Sequence, residues 1–324
     1  MSTNSISKMP AKSLSNLLIG LIDYAGLFPP AGVSMEKAVA NYAKYHREQG
    51  WSFLGSFIVP ASRLKEFEKS FGESGEQCWY LSVVCGSDVE KDIRETVDFV
   101  ARNFETDRVR VGAVELKADS SKQIREYSKF IDESFGEREV GTYFEISPDV
   151  DTTSLLRAIR DCRTRAKIRT GGLVESAFPK ADKIAQFISL CAQEGVAFKA
   201  TAGLHHPLRC VKPLTYEGNA PTGTMHGFLN VFVAAVAAYT SPHLNISQAK
   251  GMEILRAILL NDDPAMFRFE DSFLTVTGFT DSQDEFALRI PPKRIEEARE
   301  HFCISFGSCS FEEPIEDLRC LNLL

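Results

Sequence analysis

Two lysines 32 residues apart, Lys167 and Lys199, sit in short apolar stretches that run into glycine: AKIRTGG over 166–172 and VAFKATAGLHHP over 196–207. Alternate residues of an extended chain point the same way, so Lys167 shares a face with Arg169, and Lys199 with Thr201. Ile168, Phe198 and Ala200 take the opposite face. A buried strand rarely yields a face to cations that are not used. These faces are expected to point into the mouth of a barrel, with the lysines doing the chemistry.

Other ionisable groups fall at the ends of similar stretches. Asp23 closes the run before YAGLFPPAG. Glu115 and Lys117 share a face of VGAVELK, as do Tyr143 and Glu145 in TYFEIS. His205 and His206 follow the second lysine stretch, and Ser308, Cys309 and Ser310 follow the last apolar stretch. Carboxylates and lysines gathered in one cleft shift each other's pKa values. The plain alternative for each residue is a solvated loop charge or a structural ion pair, and Arg63 and Lys117 read that way. The paired histidines suit metal binding or acid–base work, or a loop cap. His226 opens an apolar helix and is a further candidate. Cys309 precedes a helix, where a thiolate is favoured, but no histidine–carboxylate partnership is visible for it in the sequence.

The elements that position these groups alternate regularly. Strands are expected over 53–59, 79–84, 109–116 and 142–146, with others beginning near 20, 166 and 196; the mean spacing is about 29 residues, one strand–helix unit. Helices are expected over 35–49 after a Ser34 cap, 63–71, up to 103 from a Ser87–Glu90 capping box, 123–135, 153–163 and 181–194. Seven units ask for an eighth, and eight close an α/β barrel of the (β/α)8 TIM type, which usually takes about 250 residues. The eighth strand is 302–307 or, less suitably, 273–276. The reading is one barrel domain over 1–324, with a flexible arm at 1–15. An insertion at 208–290 carries an apolar helix (224–239), an amphipathic helix (247–260) and a hairpin (267–289), and serves as a lid, a dimer surface or both. Catalytic groups of such barrels gather at the carboxyl ends of the strands, which is where the residues above fall.

Composition narrows the class. The 324 residues are 44% hydrophobic, enough for a large core. A net charge of -7 and the absence of a basic run speak against nucleic acid as a partner. The eight cysteines show no zinc spacing, and their apolar surroundings suit reduced thiols. The N-terminal stretch lacks the apolar core of a signal peptide, and the longest apolar run, 228–239, is too short to span a bilayer. The expectation is a cytoplasmic protein with a small-molecule substrate, no cofactor and no membrane partner; self-association is left open.

KIRTGG at Lys167, KATAGL at Lys199 and FGSCS at Phe306 together resemble the deoxyribose-phosphate aldolase type of class I aldolase, over perhaps a third of the chain. The resemblance implies that Lys167 forms the Schiff base and that Lys199 lowers its pKa by like-charge repulsion. It also implies a phosphate cradle of backbone N–H groups from Gly171, Gly172, Gly203 and the Gly307–Ser308 turn, with Thr170 and Ser310 beside it. Arg169, where that family has a small residue, the His205–His206 pair and the long insertion depart from the pattern. The family's acid–base aspartate has no obvious counterpart, and Glu115 or Glu145 would replace it.

Three readings follow. The first is a carbon–carbon lyase or aldolase-like enzyme with Lys167 as nucleophile, Lys199 as modulator, Glu145 or Glu115 as proton carrier and Arg169 holding an anionic group of the substrate. The second is a metal-dependent isomerase or lyase, with Glu115, Glu145 and one of His205, His206 or His226 around a divalent ion and a lysine as base. The third is a barrel that binds without turnover.

Overall fold

Strand–helix alternation closes into a ring. In the computed structural model, which describes residues 10–48, 51–71, 78–106, 108–147, 151–243 and 246–324, seven parallel strands follow in order: β1 (Ile22–Tyr24), β2 (Leu54–Pro60), β3 (Trp79–Val84), β4 (Val109–Lys117), β5 (Gly141–Glu145), β6 (Arg165–Arg169) and β7 (Phe198–Thr201). Helices alternate with them: α1 (Lys12–Leu18), α2 (Met35–Arg47), α3 (Leu64–Phe71), α4 (Val89–Asn103), α5 (Ser121–Phe135), α6 (Thr152–Asp161) and α7 (Ala181–Glu194). The chain then makes an antiparallel ribbon of β8 (Cys210–Pro213) and β9 (Thr222–Met225), and two helices, α8 (Phe228–Thr240) and α9 (Gln248–Leu260). A three-stranded antiparallel sheet follows, β10 (Phe267–Phe269), β11 (Leu274–Phe279) and β12 (Glu285–Ile290), and then α10 (Pro292–His301). The last strand, β13 (Cys303–Ser308), lies between β7 and β1 and completes a closed barrel of eight parallel strands before α11 (Glu312–Cys320). The fold is an α/β barrel of the TIM type. Among the described residues, no helix is long and apolar enough to cross a membrane.

Local chemistry explains most boundaries. Ser34, Ser120, Asp151 and Ser247 cap α2, α5, α6 and α9 by accepting a backbone N–H of the first turn. Gly195, at φ 66°, ends α7 in the left-handed conformation that glycine tolerates. Along α7, Ile184, Phe187, Ile188 and Cys191 recur at helical spacing and are buried.

Several expectations need correction. The arm expected at 1–15 is helical from Lys12, with Leu14 buried, because Leu14, Leu17 and Leu18 form an apolar stripe; residues 1–9 lie outside the described residues, as do Gln49 and Gly50 at the end of the helix expected over 35–49. Asp88, not a Ser87–Glu90 box, caps α4, its side chain accepting from the Lys91 N–H. The stretch at 273–276 pairs within the antiparallel sheet and not in the barrel, and the expected hairpin carries a third strand.

The apolar helix of the insertion is α8. Most of its side chains are buried, because the helix lies between the barrel and its neighbours, with the Phe228 and Phe232 rings 5.3 and 5.8 Å from that of Phe306 on β13. Its one amide, Asn230, donates to the carbonyls of Ile258 (2.7 Å) and Asn261 (2.9 Å) and accepts from the Arg209 N–H (2.9 Å), joining α8 to the end of α9 and to the chain leaving β7.

Arg299 on α10 locks the opposite end of the barrel. Its buried guanidinium donates to the carbonyls of Leu17, Ile19, Cys303 and Ile304, so it satisfies the end of α1 and the start of β13 together. Replacing it with methionine leaves these acceptors without that donor. Arg299→Met is expected to lower unfolding stability by about 3 kcal/mol or more in urea titrations, and Arg299→Lys to recover little, since an ammonium cannot reproduce the planar fork.

Candidate active site

Strand register sets out the charged groups. Lys117 on β4 pairs with Glu145 on β5, Glu145 with Lys167 on β6, and Lys167 with Lys199 on β7, giving one row across four strands. Glu115 lies two residues before Lys117 on the same strand face and reaches between the two lysines. Its Oε1 accepts from Lys199 Nζ at 2.6 Å and its Oε2 lies 2.9 Å from Lys167 Nζ. Asp23 on β1 lies 2.6 Å from Lys199 Nζ, and Glu145 lies 2.9 Å from Lys167 Nζ and 3.4 Å from Arg169 Nε. Hydroxyls finish the carboxylates: Ser82 donates to Glu115 at 2.5 Å and Ser305 to Asp23 at 2.7 Å. Asp23 also accepts the Ser56 N–H at 2.7 Å, a contact that the bare Gly55 makes room for, since a Cβ there would lie 2.3 Å from the Asp23 carboxylate. The Tyr143 ring backs Lys199, 5.4 Å from its Nζ.

Burial alone would raise the Glu115 pKa, but Lys167, Lys199 and Ser82 more than reverse this and hold its carboxyl well below the ordinary range. Glu145 is likewise lowered: burial opposes, and Lys167 and Arg169 prevail. Both lysines move the other way. Burial pulls Lys199 down, yet Asp23 and Glu115 hold it well above the usual lysine value; burial pulls Lys167 down, and Glu115 and Glu145 raise it. The expectation that Lys199 lowers the pKa of Lys167 is therefore corrected. Glu115 and Glu145 hold Lys167 up, and Glu115 stands between the two cations.

A cleft of about 310 Å³ opens above this network at the carboxyl ends of the strands. Lys167, Glu115, Glu145, Arg169 and Lys117 line it on one side. Lys199 and Asp23 do not; they lie beneath, with the Lys199 side chain 1% exposed against 7% for Lys167. Ala25, Phe28, Pro29 and Pro30 of the YAGLFPPAG segment form an apolar wall. Leu214 and Met225, at the ends of the β8–β9 ribbon, form another, which makes the first part of the insertion a wall of the site. Thr201, Gly172, Gly203 and Gly307 also line it. A Cβ on Gly307 would lie 3.0 Å from Ile58 and 3.2 Å from Thr201, so that position has little room for a side chain.

Of the residues expected to cradle a phosphate, Gly172, Gly203 and Gly307 line the cleft, whereas Thr170, Gly171, Ser308 and Ser310 do not. Thr170 is fully buried and donates to the carbonyls of Thr201 and Ala202, tying β6 to β7. Gly171 packs against Gly203, whose φ of 76° favours glycine, and against Phe178. Ser308 and Ser310 are turned into local bonds, with Ser308 Oγ accepting the Ser310 N–H and Ser310 Oγ accepting the Glu313 N–H. The helix that follows, α11, opens with Glu312 and Glu313, which repel an anion.

The histidines separate. His206 turns away from the cleft to Asp317 (2.5 Å), and His226 Nε2 donates to the Pro179 carbonyl (2.7 Å). His205 lines the cleft, with Nδ1 3.1 Å from Glu313 Oε2 and Nε2 3.9 Å from Cys309 Sγ. Glu115 and Glu145 are thus engaged by lysines, and among the described residues no three His, Cys, Asp or Glu side chains converge as a metal-binding group. Arg63 is paired with Glu66 at 2.7 Å. Ser82, Ser305 and Glu313 were not anticipated as site residues. The two serines carried a readable signal, each a polar residue at an inward position of an apolar strand; Glu313 carried none, because its partner lies 108 residues away.

Burial would lower the pKa of His205, but Cys309 and Glu313 raise it to about 9. A raised histidine stabilises the fold fully below its unfolded value, near 6.5, and the contribution is lost as pH rises through about 9. The unfolding free energy from urea titrations is therefore expected to fall between these limits by an amount on the order of 3 kcal/mol, and His205→Asn to flatten that part of the profile.

No known protein-family model matches the chain and no curated protein matches it, so the chemistry of the cleft rests on its own geometry.

Proposed function

We propose that the protein is a carbon–carbon lyase of the class I aldolase kind, in which Lys167 forms a Schiff base with a small carbonyl compound. One observation carries this reading: Lys167 faces the cleft between two carboxylates, while its neighbour Lys199 is sealed below. A nucleophilic lysine needs access to substrate and a base to take its proton. Glu145, 2.9 Å away and also in the cleft, is that base.

In the reaction, Lys167 gives a proton to Glu145 and its nitrogen adds to the carbonyl carbon. The carbinolamine hydroxyl takes that proton back from Glu145 and leaves as water, and the nitrogen keeps its remaining proton as a cationic imine. The imine draws in the electrons of the neighbouring carbon–carbon bond as the hydroxyl beyond that bond loses its proton to a carboxylate. An aldehyde departs, and protonation and hydrolysis of the remaining enamine release the second product. The like-charge activation implied by the resemblance to deoxyribose-phosphate aldolase is replaced here by proton transfer to a carboxylate. That transfer is eased once substrate displaces water from the cleft, because loss of solvent weakens the charged pair relative to the neutral one. Lys199 acts as a fixed positive charge that keeps Glu115 ionised. Arg169 and Lys117 stand at the rim, where they would take an anionic group of the substrate.

Borohydride reduction with a panel of small aldehydes, ketones and 2-keto acids, followed by peptide mapping, tests this. The expected result is a reduced adduct on Lys167 and none on Lys199, with turnover of the responsive substrate about a thousandfold lower in Lys167→Ala. A panel that yields no Lys167 adduct, or an adduct on Lys199 alone, overturns the reading.

A further inference from the structure

The Lys167 chemistry leaves a second group of reactive side chains on the same cleft unused. Cys309, at the end of β13, lines the cleft, and so does His205, just past β7. The sulfur lies 3.9 Å from His205 Nε2, and the other ring nitrogen, Nδ1, lies 3.1 Å from Glu313 on the first turn of α11. Tyr216, from the loop between β8 and β9, donates to the same Glu313 oxygen at 2.9 Å and comes within 3.9 Å of the sulfur. Thiol, imidazole and carboxylate thus stand in the order that nucleophile activation requires: one ring nitrogen on the nucleophile, the other held by an acid. Three segments converge to make the arrangement, the β13–α11 connection, the chain just past β7 and the β8–β9 loop, which a chance surface pair would not need. Cys85 is the useful contrast. It lines the same cleft, but burial pushes its thiol up to about 12, with Asp92 and Glu115 adding to the rise.

We propose that Cys309 is a second nucleophile of this cleft, activated by His205 with Glu313 as the positioning residue, and that it adds reversibly to the aldehyde carbon of a small carbonyl compound. The ligand class is taken from the Lys167 reading; the nucleophile and its activation are not. In the step, the sulfur's proton resides on His205 Nε2. A sulfur lone pair forms the S–C bond, the C=O π pair moves to oxygen, and Nε2–H protonates that oxygen. The product is a neutral hemithioacetal, and no oxidant or co-reactant is consumed. The groups that face His205 hold it protonated up to about pH 9, so the proton for the oxygen is in place at neutral pH. Those groups are Cys309 and Glu313; Tyr216 reaches the cluster through Glu313, and His206, with its own partner Asp317, lies beside it.

Timed alkylation with iodoacetamide at pH 7, read peptide by peptide, tests this in the full-length protein. Cys309 is expected to react at least tenfold faster than Cys85, and His205→Asn to remove that advantage. Glu313→Gln should move the pH profile of Cys309 labelling to a different midpoint, which a merely structural contact would leave in place. Millimolar glycolaldehyde is expected to slow Cys309 labelling at least severalfold, both in the wild type and in Lys167→Ala, where no imine can fill the cleft. Equal labelling of Cys309 and Cys85 in the wild type overturns the proposal without use of any variant, and so does rapid labelling that glycolaldehyde fails to slow in Lys167→Ala. Borohydride adducts map to a different peptide, so failure at Cys309 and failure at Lys167 are read separately.

Discussion

Two ammonium groups buried in a barrel, with one carboxylate shared between them, constrain nearly everything else at this end of the molecule. A buried charge costs several kcal/mol unless it is paired and its remaining bonds are satisfied. Lys199 meets that condition with Asp23 and Glu115, and Lys167 with Glu115 and Glu145. The carboxylates in turn need donors, and these come from Ser82, Ser305 and the Ser56 amide. Gly55 is bare because the Asp23 carboxylate occupies the space its side chain would take. Lys167 and Lys199 face Asp23, Glu115 and Glu145, and the remaining carboxylate charge is met by Arg169 at the rim. Well-packed apolar residues commonly serve stability as well as a buried ion pair or better. A network of this size therefore argues for use more than for stability.

Access divides the two lysines. Their side chains come from paired positions on adjacent strands, yet only one of them reaches the cleft. The barrel makes the difference. Lys199 points toward β1 and β4, whose carboxylates hold its amine in the floor, while Lys167 is held by the glutamates of β4 and β5 that line the cleft. The walls come from the segment after β1 and from the β8–β9 ribbon, so residues distant in sequence on both sides of the barrel core enclose one small volume.

The fold was legible because its signals are local. The spacing of apolar runs, the cap residues and the glycine stops each act within a few residues, and the closing strand was found from the helix and turn that flank it. The inward charges were legible for the same reason: alternation along Lys167–Arg169 and Lys199–Thr201 is a property of the strand. What a side chain meets across the barrel was not. The sign of the pKa shifts depends on Asp23, 176 residues from Lys199, and on Glu115, 84 residues away. Thr170, Gly171, Ser308 and Ser310 looked like ligands because the short motifs of the resemblance put them there. Their local hydrogen bonds and close packing turn them away from the cleft.

On the lyase reading, cleavage between two carbons makes two fragments, and the proposed lysine and thiol sites would hold one each. β7 separates β6 from β13, and the register sets Lys167 level with Lys199 but Gly307 level with Thr201, so Cys309 lies two strands across from Lys167 and further along the barrel axis. A single carbonyl carbon bonded to Lys167 is therefore not the one nearest Cys309. On the lyase reading, the fragment that stays on the lysine sits over Glu115 and Glu145, and the departing aldehyde leaves from the other side of the broken bond. Thr201 and Gly307 line the space between. The two reactive ends then have distinct tasks. The carboxylate–lysine floor suits an intermediate whose charge changes as bonds form and break, while the thiol–imidazole end suits a neutral aldehyde that is held and released without a change in net charge.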